Sequence, residues 1–178
     1  AVILYYGVRP DILAGAPHPM VVIRSGMLAL LGTATTLAAT AAARPAVGQG
    51  QNGWGWALAA TALLPAAAII LYIYHRLTGT PFQPGAFNFA YAHFFLGIGS
   101  AGALFIGSVL TLWLRRGAAT ALNRAGWLVG LASGSFGAFA YSLHCPSNSI
   151  YYVGLFYSAV VVIGAVVGRL VVPRLIRW

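Results

Sequence analysis

The side chains in this chain best suited to chemistry are four histidines and one cysteine: His18, His75, His93, His144 and Cys145. Neutral imidazole and thiolate are ligands for zinc, copper and other soft metal ions. A thiol is also the group that oxidants attack first. His18 stands in a loop, His75 closes an apolar block, His93 lies about one turn into the next, and His144-Cys145 opens a short polar turn. A soft-metal site would need these groups at one shared depth. The bland alternatives are histidines that cap helix ends and an inert thiol beside Pro146. His75 and His93 are the one pair that could serve as axial haem ligands. A single cysteine excludes an intrachain disulfide and a multi-cysteine zinc or iron–sulfur site built by this chain alone. Serine-hydrolase, HExxH, P-loop and dinucleotide signatures are absent, so the chain reads as a non-enzyme with no organic cofactor.

The elements that must carry these groups follow from composition. Of 178 residues, 60% are hydrophobic, one is acidic (Asp11), and the ten basic residues are all arginine. A water-facing surface needs charges of both signs, so the bilayer is the expected solvent. Five apolar blocks reach the roughly 20 residues needed to span it, at 20–43, 53–74, 89–114, 125–143 and 150–172. Residues 1–8 are apolar but too short to span, and read as the tail of a sixth helix. Period-2 alternation is missing, which disfavours a β-barrel. The expected fold is all-α: one polytopic membrane helix bundle of five complete helices plus a partial one. The arginines form no continuous basic patch, so nucleic acid is not an expected partner.

With alternating passes, one side carries Arg9 and Arg76, and the other Arg44, Arg115, Arg116, Arg124, Arg174 and Arg177. Arg24 sits about one turn inside its block and is expected to snorkel to the surface. The positive-inside rule then places the C-terminus in the cytoplasm and all five chemical groups on the outer side of a bacterial inner membrane. On this reading the Cys145 turn faces water.

Within lipid, helices associate through close packing of small residues. Gly126, Gly130, Gly134 and Ala138 recur every fourth residue, as do Gly99, Ala103 and Gly107, and Gly164 with Gly168. These faces are expected at helix contacts, whereas Val160 is read as lipid-facing. No Asp, Glu or Lys lies in any span, which leaves a pump or ion carrier without groups to run on.

The last third of the chain carries a recognisable pattern. The run Tyr141-Ser-Leu-His-Cys-Pro-Ser-Asn-Ser149, then Tyr157, then a basic ending from Gly168 to Trp178, resembles the NrsF-type family. Gly7-Val-Arg-Pro-Asp11 and Arg24 are similar to positions around that family's first turn and second helix. Its members are six-helix bacterial membrane anti-sigma factors that restrain an extracytoplasmic-function sigma factor. The resemblance implies an outside stress, sensed near the cysteine turn and passed inward to a sigma factor. The sigma factor would be held by a cytoplasmic N-terminal segment absent from this chain. Family members often carry a second cysteine, but residues 88–107 have none here, so an intrachain two-cysteine switch is not available. The rival reading is a structural accessory subunit in a larger respiratory or photosynthetic membrane complex, in contact with lipids and other membrane subunits.

Overall fold

A computed structural model of the protein describes residues 7–42, 55–81, 92–117 and 121–176, apart from the side chains of residues 58, 64 and 92–96. Every regular element among these residues is helical. A short helix, α1 (Pro10–Leu13), precedes four longer ones: α2 (Pro19–Ala42), α3 (Gly55–Thr78), α4 (Ala92–Leu114) and α5 (Leu122–Ser142). The last helix, α6 (Ile150–Leu175), is α-helical except for one π turn at Val153–Tyr157. Gly15, at φ 73°, sits just past α1, where a left-handed residue lets the chain turn towards α2.

Four of these helices are long and apolar enough to cross a membrane: α2, α3, α6 and, over Gly97–Leu114, α4. The expected fifth, α5, matches them in length but falls short in hydropathy. Its sequence explains the difference, because glycine, serine and alanine add little apolar surface. Its position removes the need for more. α5 packs against α2, α4 and α6 and is the most enclosed helix, whereas α3 packs mainly along the start of α6. The expected partial helix falls on residues 1–6, outside the described residues.

The glycines of α5 set how closely its neighbours approach. A Cβ built on Gly130 would run into the Gly164 carbonyl and come within 2.7 Å of the Ala165 Cα. One on Gly134 would lie 2.8 Å from the Val161 Cα, and one on Gly126 2.8 Å from the Gly168 carbonyl. From the α6 side, a Cβ on Gly168 would lie 2.6 Å from the Gly130 Cα, and one on Gly164 3.1 Å from the Gly134 Cα. On another face of α5, Gly137 meets the Gly99 carbonyl and Ala103 of α4, while Gly107 of α4 would place a Cβ 3.0 Å from Ser133 Oγ. Gly137 lies one residue off the four-residue series read from the sequence. Val160 is 5% exposed, so the lipid-facing assignment made for it is corrected: it lies one residue before Val161, against Gly134.

The outer faces carry the opposite chemistry. Leu30, Leu104 and Phe105 are 73%, 68% and 71% exposed, and similar residues cover α3 and α6. The interior holds two clusters. One gathers Leu28, Leu31, Leu131, Tyr141, Tyr152 and Tyr157 near the α5–α6 turn. The other gathers Ala39, Leu114, Leu128, Val129, Val172 and Ile176 at the opposite end.

Gly130→Leu will separate α5 from α6, because backbone stands where its side chain must go. A loss of about 3 kcal/mol or more is expected, at or beyond the top of the range for overpacking. Val162→Leu, on an exposed site of α6, will change stability by less than about 0.5 kcal/mol. Thermal unfolding in detergent compares the two, and equal tolerance would disprove backbone-close packing.

Candidate functional site at the cysteine turn

The residues joining α5 to α6 form a polar turn that starts where α5 leaves its last carbonyls without helical partners. Arg24 supplies them. It enters from the first turns of α2, is 0% exposed, and donates to the Ser142 carbonyl at 2.9 Å and the Cys145 carbonyl at 2.8 Å. It also donates to the Ser147 carbonyl. A cation at a helix C-terminus is favoured by the helix dipole as well as by these bonds. The guanidinium carbon lies 5.6 Å from the centre of the Tyr157 ring, which adds a cation–π contact. The expectation that Arg24 snorkels to the surface is therefore corrected. The carbonyls and the ring hold its charge inside. One turn position further, Ser25 Oγ and Ser142 Oγ pair at 2.7 Å and pin α2 to the end of α5.

A second arginine closes the turn from outside. Arg9 donates to the same Cys145 carbonyl at 2.7 Å and to Asn148 Oδ1 at 3.0 Å. Its other nitrogens grip both carboxylate oxygens of Asp11, at 2.9 and 2.8 Å. Asp11 in turn accepts the backbone N–H groups of Ile12 and His18. The hydrogen bonds from Arg9 hold the Asp11 carboxyl well below the usual carboxylate range, and the two backbone bonds add to this against the cost of partial burial. The chain's sole acidic side chain thus braces one arginine, while the other is bound by carbonyls and an aromatic face.

Cys145 lies beneath this cover. It is a free cysteine with 0% exposure, so the reading that its turn presents the thiol to water is corrected. Burial follows from the two arginines drawing the Cys145 carbonyl inward and from three tyrosines around the sulfur. Tyr141, Tyr152 and Tyr157 each interact with the Cys145 side chain. Their rings pack on one another, with Tyr152 and Tyr157 centred 6.3 Å apart and Tyr141 and Tyr157 6.4 Å apart. Residues five apart do not share a face of a regular α-helix. The π turn at Val153–Tyr157 winds i to i+5 and brings Tyr152 and Tyr157 to the same side. Ser149 caps the start of α6 through the Tyr152 N–H.

The histidines are placed as follows. His18 Nδ1 accepts the Met20 N–H at 3.1 Å and caps α2. His75 Nδ1 lies 3.0 Å from the Leu71 carbonyl one turn earlier, and its ring meets Tyr151 edge-on at 6.4 Å. His144 Nδ1 lies 3.4 Å from the Gly7 carbonyl. The His93 side chain lies outside the described residues. Among the described residues, no three His, Cys, Asp or Glu side chains gather where they could hold a metal ion. The site is therefore built from Arg9, Arg24, Asp11 and three tyrosines around a buried thiol.

Arg24→Ala will leave the Ser142 and Ser147 carbonyls without their donor and the Cys145 carbonyl with Arg9 alone, and will lower stability by about 2–4 kcal/mol. Arg24→Lys will recover little, since one ammonium cannot reach three carbonyls in a fixed fork. Wild-type melting temperatures in both variants would refute the clamp. The Asp11 pair gives a pH signature with a definite sign. A depressed folded-state pKa stabilises the protein fully above the unfolded value near 3.9 and loses that contribution as pH falls through the folded value. Asp11→Asn will therefore lower stability evenly from pH 7 to about pH 4 and flatten the acid limb below it. An Asn variant that follows the wild-type curve throughout would show that the pair contributes nothing.

Comparison with known proteins adds the family. The chain is 31% identical over 174 residues to the anti-sigma-F factor NrsF of Caulobacter vibrioides (strain NA1000 / CB15N), a match covering 96% of this chain and 78% of that protein. No solved structure matches. Over residues 1–178 the chain matches the family described as NrsF, negative regulator of sigma F, and it belongs to that family.

Proposed function

We propose that the protein is an anti-sigma factor of the bacterial inner membrane, with the Cys145 turn outside and the opposite end of the bundle in the cytoplasm. The observation that carries this reading is the division of arginine between the two ends. At the turn end, Arg9 is paired with Asp11 and Arg24 is taken up by carbonyls, which leaves Arg76. At the other end stand Arg115, Arg116, Arg124, Arg169 and Arg174, with no acid in the sequence left to pair them. By the positive-inside rule that end is cytoplasmic. The exposed leucines, isoleucines and valines of α2, α3, α4 and α6 then face lipid, and α5 crosses at the centre of the bundle. No group in the site points to catalysis.

On this reading the sigma factor is held on the cytoplasmic side, and an extracytoplasmic stress acts on the buried thiol. A soft ion or an oxidant must first open the Arg9–Asp11 cover to reach the sulfur. Opening the cover frees the Cys145 carbonyl, which Arg24 also holds. Displacing Arg24 moves the start of α2 against Tyr157 of α6, and both helices run to the cytoplasmic end. Family membership favours this reading over that of a structural accessory subunit.

Deleting the protein will raise transcription from one sigma-factor regulon, and restoring it will return expression to baseline. Alkaline phosphatase fused after Leu175 will be inactive, while the same enzyme inserted at Gly79 will be active. Transcription unchanged across the genome would remove the anti-sigma reading. The opposite pattern of phosphatase activity would reverse the orientation.

A further inference from the structure

A groove of ≈ 500 Å³ runs between α4 and α6, a size typical of ligand clefts. Its floor is α5, at Gly130 and Ser133, and its walls are Leu104 and Leu112 of α4 and Ile163 and Val171 of α6. Three of the four hydroxyls along it are turned back on their own helices. Ser108, Thr111 and Ser133 donate to the carbonyls of Leu104, Gly107 and Val129 at 2.8, 2.6 and 2.6 Å. Apart from Ser100 at the end away from Arg115, its length therefore offers an occupant apolar contact alone. One end differs, because Arg115 stands at the mouth and is exposed. The chain's one acidic side chain, Asp11, is bound to Arg9 at the far end of the bundle and cannot serve it. From Ser100 to Arg115 the helix rises about 22 Å, more than the roughly 15 Å of one leaflet's hydrocarbon.

An occupant must therefore be apolar over a leaflet's depth and anionic at the end beside Arg115. A second copy of this chain fails the second condition: a two-fold contact would bring another Arg115 to the mouth and no acid. We propose that this groove holds an acyl chain of an anionic phospholipid from the leaflet on the arginine-rich side, with the phosphate on Arg115. The inference rests on the chain lying in a membrane, as proposed above. That reading has its own measurement, retention in carbonate-washed membranes, so the two can fail separately.

The test is native mass spectrometry of the full chain in detergent, titrated with phosphatidylglycerol, phosphatidylcholine or glycerol 3-phosphate. Phosphatidylglycerol will bind about fivefold more tightly than phosphatidylcholine, the gain one arginine gives near an anionic headgroup. Glycerol 3-phosphate, a headgroup without chains, will not compete. Arg115→Gln will bring phosphatidylglycerol down to the phosphatidylcholine level, and Arg76→Gln, at the other end, will not. Ser108→Trp, on the exposed rim, will plug the groove and weaken both lipids at an unchanged melting temperature. Equal binding of the two lipids, or no effect of Arg115→Gln, would overturn the proposal. Competition by glycerol 3-phosphate would assign the arginine to free phosphate. A change of oligomeric state in Ser108→Trp without lipid loss would give the groove to a second copy.

Discussion

The structure depends on keeping one buried positive charge satisfied without a carboxylate. Arg24 is fully enclosed, and an isolated charge in such a place costs many kcal/mol unless it is hydrogen-bonded; both terminal nitrogens are, while Nε has no partner among the described residues. The chain has one acid, and that acid is committed to Arg9. Carbonyl oxygens and an aromatic face must therefore do what an aspartate would do elsewhere. Carbonyls free to accept are found where a helix ends, so the cation is placed at the C-terminus of α5, and the α5–α6 turn folds back to present two more. The position of the cysteine, the inward bend of its carbonyl and the approach of Tyr157 all follow from that need.

Packing along α5 makes the arrangement stiff. Glycines bring α6 to backbone distance at three successive turns, so α5 and α6 move as one body. α2 is joined to that body at the turn through Arg24 and the Ser25–Ser142 pair, and further along through Gly32, where a Cβ would lie 3.1 Å from the Phe136 ring. α3 is held least, with most of its surface turned outward. A disturbance at the thiol therefore meets a rigid α5–α6 pair and a separate α2 whose start is clamped by hydrogen bonds. Hydrogen bonds are the softer of the two attachments, because they can exchange partners where interlocked backbones cannot.

The legible parts of this structure are those written in local pattern. Long apolar blocks gave the helices, and the four-residue series from Gly126 to Gly134 marked the side of α5 that α6 covers. Gly137 escaped that series because α4 packs on a different face, and one periodic stripe reports one neighbour. Arg24 was visible as an oddity, but its partners are backbone carbonyls, which every residue has and no residue type signals. Tyr141 and Tyr157 stood out in the sequence, but the grouping of three tyrosines was hidden for another reason. Tyr152 and Tyr157 share a face only because of a π turn, and the spacing five has no meaning under a regular 3.6-residue period. The exposure assigned to Cys145 failed because a turn between helices was equated with water. Two arginines and three rings cover it instead.

The placement of the single acid also bears on orientation. Loops that carry unpaired arginine resist translocation, and acidic residues count for little in that rule by themselves. Asp11 acts here by pairing. By binding Arg9 along both carboxylate oxygens it removes one of the few cations at the turn end from the tally of free charge, and Arg24 is removed by the carbonyls. The asymmetry between the two ends is therefore steeper in the folded protein than in the bare sequence count. The same two neutralisations that close the turn around Cys145 also leave the turn end nearly free of unpaired charge, so the enclosure of the thiol and the charge asymmetry between the two ends rest on one set of hydrogen bonds.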